Sequence, residues 1–272
     1  MLIDFHTHIF PEQIAKAAIS KLESELHIPA NTDGTYLQLQ KSCRRAGIDL
    51  ALVLPIATSP RQYQSIIRYA DSINHKYYAD PSQGILSLAS IHPDCQDIDD
   101  KLKEIKALGF AGIKLHPDFQ QTMFSDIRYK RILSKASELD LFVVTHAGLD
   151  PYSANLIHCD VPSILEVLKD VAPRRLILAH MGNNTFYDEV EKYLMGADVY
   201  LDMAYSIIHQ NPDQMLRMIR KHGPKRILFA TDTPWVIQED AVSNFKKLPL
   251  TEYEYERISH INAEKLLGIL PR

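Results

Sequence analysis

The chain has 272 residues, and 30 Lys and Arg against 34 Asp and Glu leave a formal charge of −4. Its 46% hydrophobic and 24% charged residues exclude a disordered chain, and the missing basic excess argues against a grip on nucleic acid or an anionic membrane. No low-complexity stretch or Gly/Ser-rich linker divides the chain, so one domain over residues 1–272 is the simpler expectation.

Taken in order, the chain opens on Met1-Leu2-Ile3-Asp4-Phe5-His6, where an acid and an imidazole replace the apolar run of a signal peptide. Short apolar runs recur at Leu2–His6, Leu50–Leu54, Ile85–Ile91, Ala111–His116, Leu141–His146, Arg175–His180, Val199–Met203 and Arg226–Thr231. Most are continuous rather than alternating, as for parallel strands covered on both faces. Helical patterns lie between them: Ile98–Leu108 with Gly109 as its stop, Tyr129–Leu139, a helix opening at Pro162, Asp213–Lys221 and a last helix over Glu252–Leu267. Eight alternations of strand and helix predict an α/β protein, a single-domain (β/α)8 TIM barrel. A doubly wound sheet would want a GxGxxG turn, and none is present. Pro11–Thr35 is long for a first βα loop, so it reads as an inserted segment after strand 1, with a helix near Glu12–Leu26, walling the mouth of the barrel. No run of about 18 apolar residues suggests a membrane span. Cys43, Cys95 and Cys159 are odd in number and far apart, which fits a reducing cytoplasm rather than a disulfide framework.

The chemistry lies at the strand ends. Strand 1 ends in His6-Thr7-His8, strand 3 in His92-Pro93-Asp94, strand 4 in Lys114-Leu115-His116-Pro117, strand 5 in Thr145-His146, strand 6 in Ala179-His180-Met181-Gly182 and strand 8 in Thr231-Asp232-Thr233-Pro234-Trp235. A parallel barrel gathers these ends at one mouth. Residues i and i+2 of a strand share a face, so His6 and His8 present two imidazoles to one point. With His146 and Asp232 they make a nitrogen and carboxylate donor set without thiolate, which suits Zn2+ first and is compatible with Mn2+ or Fe2+. Phe10, Tyr205 and Trp235 lie just past strands 1, 7 and 8, where an apolar pocket wall is expected. Asn183 and Asn184 read as helix caps. His27, His75, His158, His209, His222 and His260 fall in helices or loops and read as surface or capping residues.

These elements, with Asp4-Phe5-His6-Thr7-His8, Gly112-Ile113-Lys114-Leu115-His116-Pro117 and the tail Asn262-Ala263-Glu264-Lys265-Leu266-Leu267-Gly268, resemble the amidohydrolase superfamily. The likeness is to the amidohydrolase-related branch that holds small metal-dependent hydrolases and aminocarboxymuconate-semialdehyde and resorcylate-type decarboxylases. The resemblance implies metal ligation by His6, His8, His146 and Asp232, and catalytic roles for Asp232 and for His180 as a substrate-polarising group. It implies one divalent ion with Lys114 unmodified, rather than a carboxylated Lys114 bridging a second. Lys114 and His116 are then substrate-binding candidates, alongside Phe10, Tyr205 and Trp235. The substrate is expected to be a small molecule, and a homodimer is compatible with the chain.

Hydrolysis of a C–N or C–O bond (amide, lactone or ester) in a small, carboxylated molecule is the first functional expectation, through a metal-activated water. There Asp232 carries the proton, His180 steadies the carbonyl oxygen and Lys114 binds a carboxylate. Non-oxidative decarboxylation on the same site is the alternative. A TatD-like nuclease ranks lower, because that group places a glutamate on the middle strands where Gly112-Ile113-Lys114-Leu115-His116 stands here. A barrel that binds without catalysis ranks lower as well.

Overall fold

The computed structural model describes residues 1–269, so the last three residues of the expected single domain lie outside the described residues. The strands are β1 (Ile3–Thr7), β2 (Leu50–Val53), β3 (Ile85–Ser87), β4 (Ala89–Ser90), β5 (Gly112–Leu115), β6 (Phe142–Thr145), β7 (Leu176–Leu178), β8 (Tyr200–Asp202) and β9 (Ile227–Leu228). Each pairs in parallel with the next, except at Leu88, where the expected third strand is broken: β3 pairs with β2, while β4 pairs with β5. The seam between first and last strands is crossed by backbone hydrogen bonds from Phe5 to Phe229 (3.0 Å), from Asp232 to His6 (2.9 Å) and from His8 to Thr233 (2.7 Å). The architecture is the expected TIM barrel.

Alternate strand residues form two cores. Ile3, Phe5, Leu52, Phe142, Val144 and Leu228 belong to one, which fills the barrel. Ala51, Val53, Ile113, Val143 and Leu201 join the larger one, which packs under the helices. A buried carboxylate sits in this outer layer: Asp4 accepts from the Thr231 backbone N–H (2.9 Å) and hydroxyl (2.6 Å) and from Gln238 Nε2 (2.7 Å). Burial pushes its carboxyl up to about 6.

The inserted segment carries α1 (Glu12–Leu26), as expected, and is followed by α2 (Tyr36–Ala46). The other main helices are α3 (Tyr63–Ala79), α4 (Ile98–Ala107), α5 (Ile127–Glu138), α6 (Val161–Asp170), α7 (Tyr187–Tyr193), α8 (Ser206–His209), α9 (Pro212–His222) and α10 (Gln238–Lys247). The expected last helix is one helical run, α11 (Glu252–Glu256) and α12 (Asn262–Leu267), joined by a π turn over Arg257–Ile261. The π turn has a use: Ile258 O accepts from Phe229 N (3.0 Å), tying the helix to the end of β9. Cys43, Cys95 and Cys159 are free and buried, and no helix among the described residues is long and apolar enough to cross a membrane.

Local chemistry sets helix starts. Asp126 caps α5 by accepting from Arg128 N (2.8 Å), and it also takes the Arg128 Nε (2.8 Å). These bonds hold its carboxyl down at about 2. A carboxyl whose folded pKa lies below its unfolded one adds stability above the unfolded value and loses it as pH falls through the folded one. Asp126→Ala is therefore expected to cost about 1 kcal/mol at pH 7, and the deficit should shrink between about pH 4 and pH 2. Urea unfolding at a series of pH values checks this; a deficit constant down to pH 2 would leave the carboxylate charge without a role.

Candidate active site

The strand-1 histidines reach the mouth through a bulge. Asp4 pairs with Ala51 but Thr7 with Val53, so β1 carries one residue more than its partner over this interval. An extra residue in one strand re-aims the side chains that follow it. Ile3 and Phe5 point into the barrel core, and after the bulge His6 and His8 converge at the mouth with rings 5.0 Å apart. Asp232 and His180 arrive by another local device, left-handed backbone at φ +75° and +58°. For a non-glycine residue this costs on the order of 1–3 kcal/mol. The strain is held by neighbours: Asp232 N donates to His6 O (2.9 Å), and His180 N donates to Asp202 Oδ1 (3.0 Å).

His6 Nε2, His8 Nε2 and Asp232 Oδ1 form one compact donor group. The two nitrogens are 3.2 Å apart, and the oxygen lies 3.6 Å from His6 Nε2 and 3.2 Å from His8 Nε2. Each imidazole is anchored by its other nitrogen, His6 Nδ1 to Asp202 Oδ2 (2.9 Å) and His8 Nδ1 to Leu54 O (2.9 Å). Both anchors accept, so neutral rings carry their proton on Nδ1 and offer the Nε2 lone pair inward, as metal ligands do. Burial, then the nearby Lys114 charge, holds His6 well below the ordinary imidazole range, so it is neutral. Burial also pushes the Asp232 carboxyl up, but the His8 hydrogen bond and the surrounding imidazoles outweigh it, and the net direction is down. A neutral His6 and a second imidazole beside an ionised carboxylate fit a divalent cation.

Lys114 is fully buried, with Nζ 3.2 Å from His6 Nε2. Desolvation pushes its ammonium down to about 8. His180 Nδ1 donates to Ala204 O (3.0 Å), and His180 Nε2 meets His146 Nδ1 at 3.0 Å. His146 stands apart from the first trio: it belongs to a second group with His116 and Asp150. There His116 Nε2 lies 3.5 Å and His146 Nε2 3.8 Å from Asp150 Oδ2. Burial pushes Asp150 up to about 7 and holds both imidazoles low. Both groups line one chamber of about 100 Å3, and Phe10, Tyr205 and Trp235 are in its wall. His6, His8, His146, Asp232, His180, Lys114, His116, Phe10, Tyr205 and Trp235, the residues given a site role in the sequence, are thus all at this mouth, while His92 of the strand-3 end is not in its lining.

Three carboxylates escaped the sequence reading: Asp202, Asp118 and Asp150. Asp202 ends β8 inside an apolar run, and an acid there was the available signal. His158 and His222, read as surface or capping residues, are buried; His158 Nδ1 is bonded to Asp118 Oδ1 (3.0 Å) and His222 Nε2 to Val199 O (2.8 Å). Asn184, read as a helix cap, instead donates to Leu149 O (2.8 Å). It crosses to the loop after β6, where Gly148 (φ +95°) sits so close that a Cβ would fall 2.1 Å from Asn184 N. His92 accepts from Asp94 N (3.1 Å), a local structural bond.

The sequence profile of the amidohydrolase family matches residues 3–269. No curated protein matches the chain. Among solved structures, the 2,6-dihydroxybenzoate decarboxylase from Rhizobium is similar, with TM-score 0.68, 18% identity and 98% of each chain covered. The 5-carboxyvanillate decarboxylase from Sphingomonas paucimobilis gives 0.70 at 12% identity over 99% of each chain. That of Novosphingobium aromaticivorans, complexed with manganese and 4-hydroxy-3-methoxy-5-nitrobenzoic acid, gives 0.69 at 14% identity, covering 98% of this chain and 96% of that one. At these identities the likeness speaks for the fold.

Proposed function

The chain belongs to the amidohydrolase family, and on that premise we propose that it is a metal-dependent, non-oxidative decarboxylase of a small carboxylic acid. This reverses the order of the sequence expectation, which put hydrolysis first. The observation that carries it is the place of Lys114: a buried ammonium 3.2 Å from a nitrogen of the donor trio. A buried cation is costly unless an anion meets it. The anion-binding group stands at the centre itself, so the carboxylate it recognises is the reacting group rather than a remote handle. The aromatic-acid decarboxylases among the similar structures support the same reading.

His6, His8 and Asp232 would hold the ion, with His146 presented through Nδ1 as the fourth donor. A bound divalent ion would act as a Lewis acid on substrate oxygens; the similar Novosphingobium enzyme is complexed with manganese, so Mn2+ stands beside Zn2+ as a candidate. Lys114 binds the carboxylate as a point charge. Phe10, Tyr205 and Trp235 exclude water and flank an apolar substrate body. The C–C bond to the carboxylate breaks, its electron pair stays on the substrate carbon, and CO2 leaves. His180, anchored through Nδ1, gives its Nε2 proton to that carbon and recovers one from solvent.

Hydrolysis of an amide, lactone or ester is the second reading, favoured by the ionised Asp232 carboxylate, which is placed to take a proton from water. Incubation with Mn2+ or Zn2+ and a panel of carboxyl-13C hydroxybenzoates, amides and lactones separates the two. Labelled CO2 with the matching decarboxylated product is expected; amine, alcohol or acid release without CO2 would establish the hydrolase instead.

A further inference from the structure

We propose that Asp118 is a positioning residue for the metal centre: it fixes His146 with its proton on Nε2, so that Nδ1 is the nitrogen offered to the ion. The proposal rests on the metal-binding reading of the site.

Three of the five mouth histidines follow one pattern. His6, His8 and His180 engage Nδ1 with a carboxylate or carbonyl and leave Nε2 facing the centre. His146 is the reverse. Its Nδ1 lies on the centre side, 3.0 Å from His180 Nε2, and its Nε2 points to Asp118 Oδ2 at 3.7 Å. Asp118 is fully buried. Its Oδ1 takes the Ser153 hydroxyl and His158 Nδ1, so that oxygen is fixed. Its Oδ2 and His146 Nε2 are both buried without a hydrogen-bond partner among the described residues, and they face each other.

A carboxylate only accepts, so it favours the His146 tautomer with hydrogen on Nε2. The Ala204 carbonyl likewise requires hydrogen on His180 Nδ1. With hydrogen on Nε2, His146 turns its Nδ1 lone pair toward the centre and toward His180 Nε2 at 3.0 Å, where it can meet a cation or the proton that His180 carries. The distance of 3.7 Å is too long for a hydrogen bond and too short to admit a water. It closes by a few tenths of an ångström once a cation on Nδ1 polarises the ring and strengthens the Nε2 donor. A cation on the opposite side, shared by His146, His116 and Asp150, is disfavoured by ring geometry. The two imidazoles stack at 4.4 Å and 12°, so their lone pairs lie in two separate, nearly parallel planes and do not converge on one point.

The decisive variant is Asp118→Asn. Ser153 and His158 pin the amide oxygen in place of Oδ1, so the amide N–H2 faces His146 Nε2 and drives the proton onto Nδ1. Asp118→Ala leaves Nε2 free to keep its proton. Affinity for Zn2+ and Mn2+ is read by competition with a chromogenic chelator, and thermal unfolding is measured on the metal-free proteins. Asp118→Asn is expected to bind about 10–100-fold more weakly than wild type, and more weakly than Asp118→Ala, with metal-free unfolding little changed. A merely structural role predicts the opposite order, since Asn is the closer replacement in shape. Wild-type affinity in Asp118→Asn, or Ala weaker than Asn, would overturn the proposal. Should neither variant fold, Ser153→Ala, which keeps the carboxylate but loosens it, is expected to show a smaller drop, and no drop would overturn it. Failure of the wild type to bind either ion would refute the metal reading, and this inference with it.

Discussion

Asp232→Asn is expected to keep the fold and lose turnover by about 10²–10⁴-fold. The carboxylate is buried at the mouth, 3.2 Å from His8 Nε2, and its backbone is held in place by the His6 carbonyl whatever the side chain. Asparagine conserves shape, so the loss reports charge. It removes the anionic donor of the trio and turns an amide toward the two imidazoles. Turnover measured across a metal titration separates two roles. Recovery at high metal assigns Asp232 to ligation alone; a deficit that persists at saturation assigns it proton transfer too. Near-normal turnover at ordinary metal levels would remove Asp232 from the centre.

The second large effect is expected from Lys114→Met. An interaction with a charged group contributes about 1.5–3 kcal/mol, so KM for the carboxylate should rise about 10–100-fold. Burial holds the ammonium at about 8, below its usual value. The charged form that binds the substrate is present below that pH and is lost above it. Wild-type KM should therefore climb above about pH 8, and the variant should lack that limb. Replacing a buried charge by an apolar chain of similar length should leave the unfolding midpoint of the metal-free protein unchanged or raise it. A stable KM with a fall in stability would instead make Lys114 a structural partner of Asp202 and Asp232.

The sequence displayed the barrel because parallel strands buried on both faces are continuous apolar runs, and those runs end in His, Lys and Asp. It displayed the ligand candidates for the same reason, since one topology brings all the strand ends to one place. It did not display β1's bulge, which exists only as register against β2. Nor did it display the anchors. Asp202 lies 196 residues from His6, and no local pattern links them. Asp118 and Asp150 follow His116 and His146 by two and four residues, and only packing shows them buried. Helices α2 and α3 went unread because Gln, Ser, Arg and Asn dilute their apolar stripe; α3 nevertheless buries Tyr63, Ile67, Ala70, Ile73 and Tyr77 on one side.

The donor trio straddles the seam of the barrel. His6 and His8 are made well before Asp232, while the Asp4 carboxylate fastens the same two strands from the outer layer. An emerging chain that has not yet delivered residue 232 holds two imidazoles and no acid to complete them. On the proposed metal reading, ion capture would be a late event of biogenesis, and the captured ion would act as a rivet across the join, so that prying the first strand from the last would require breaking metal–ligand bonds as well as backbone hydrogen bonds.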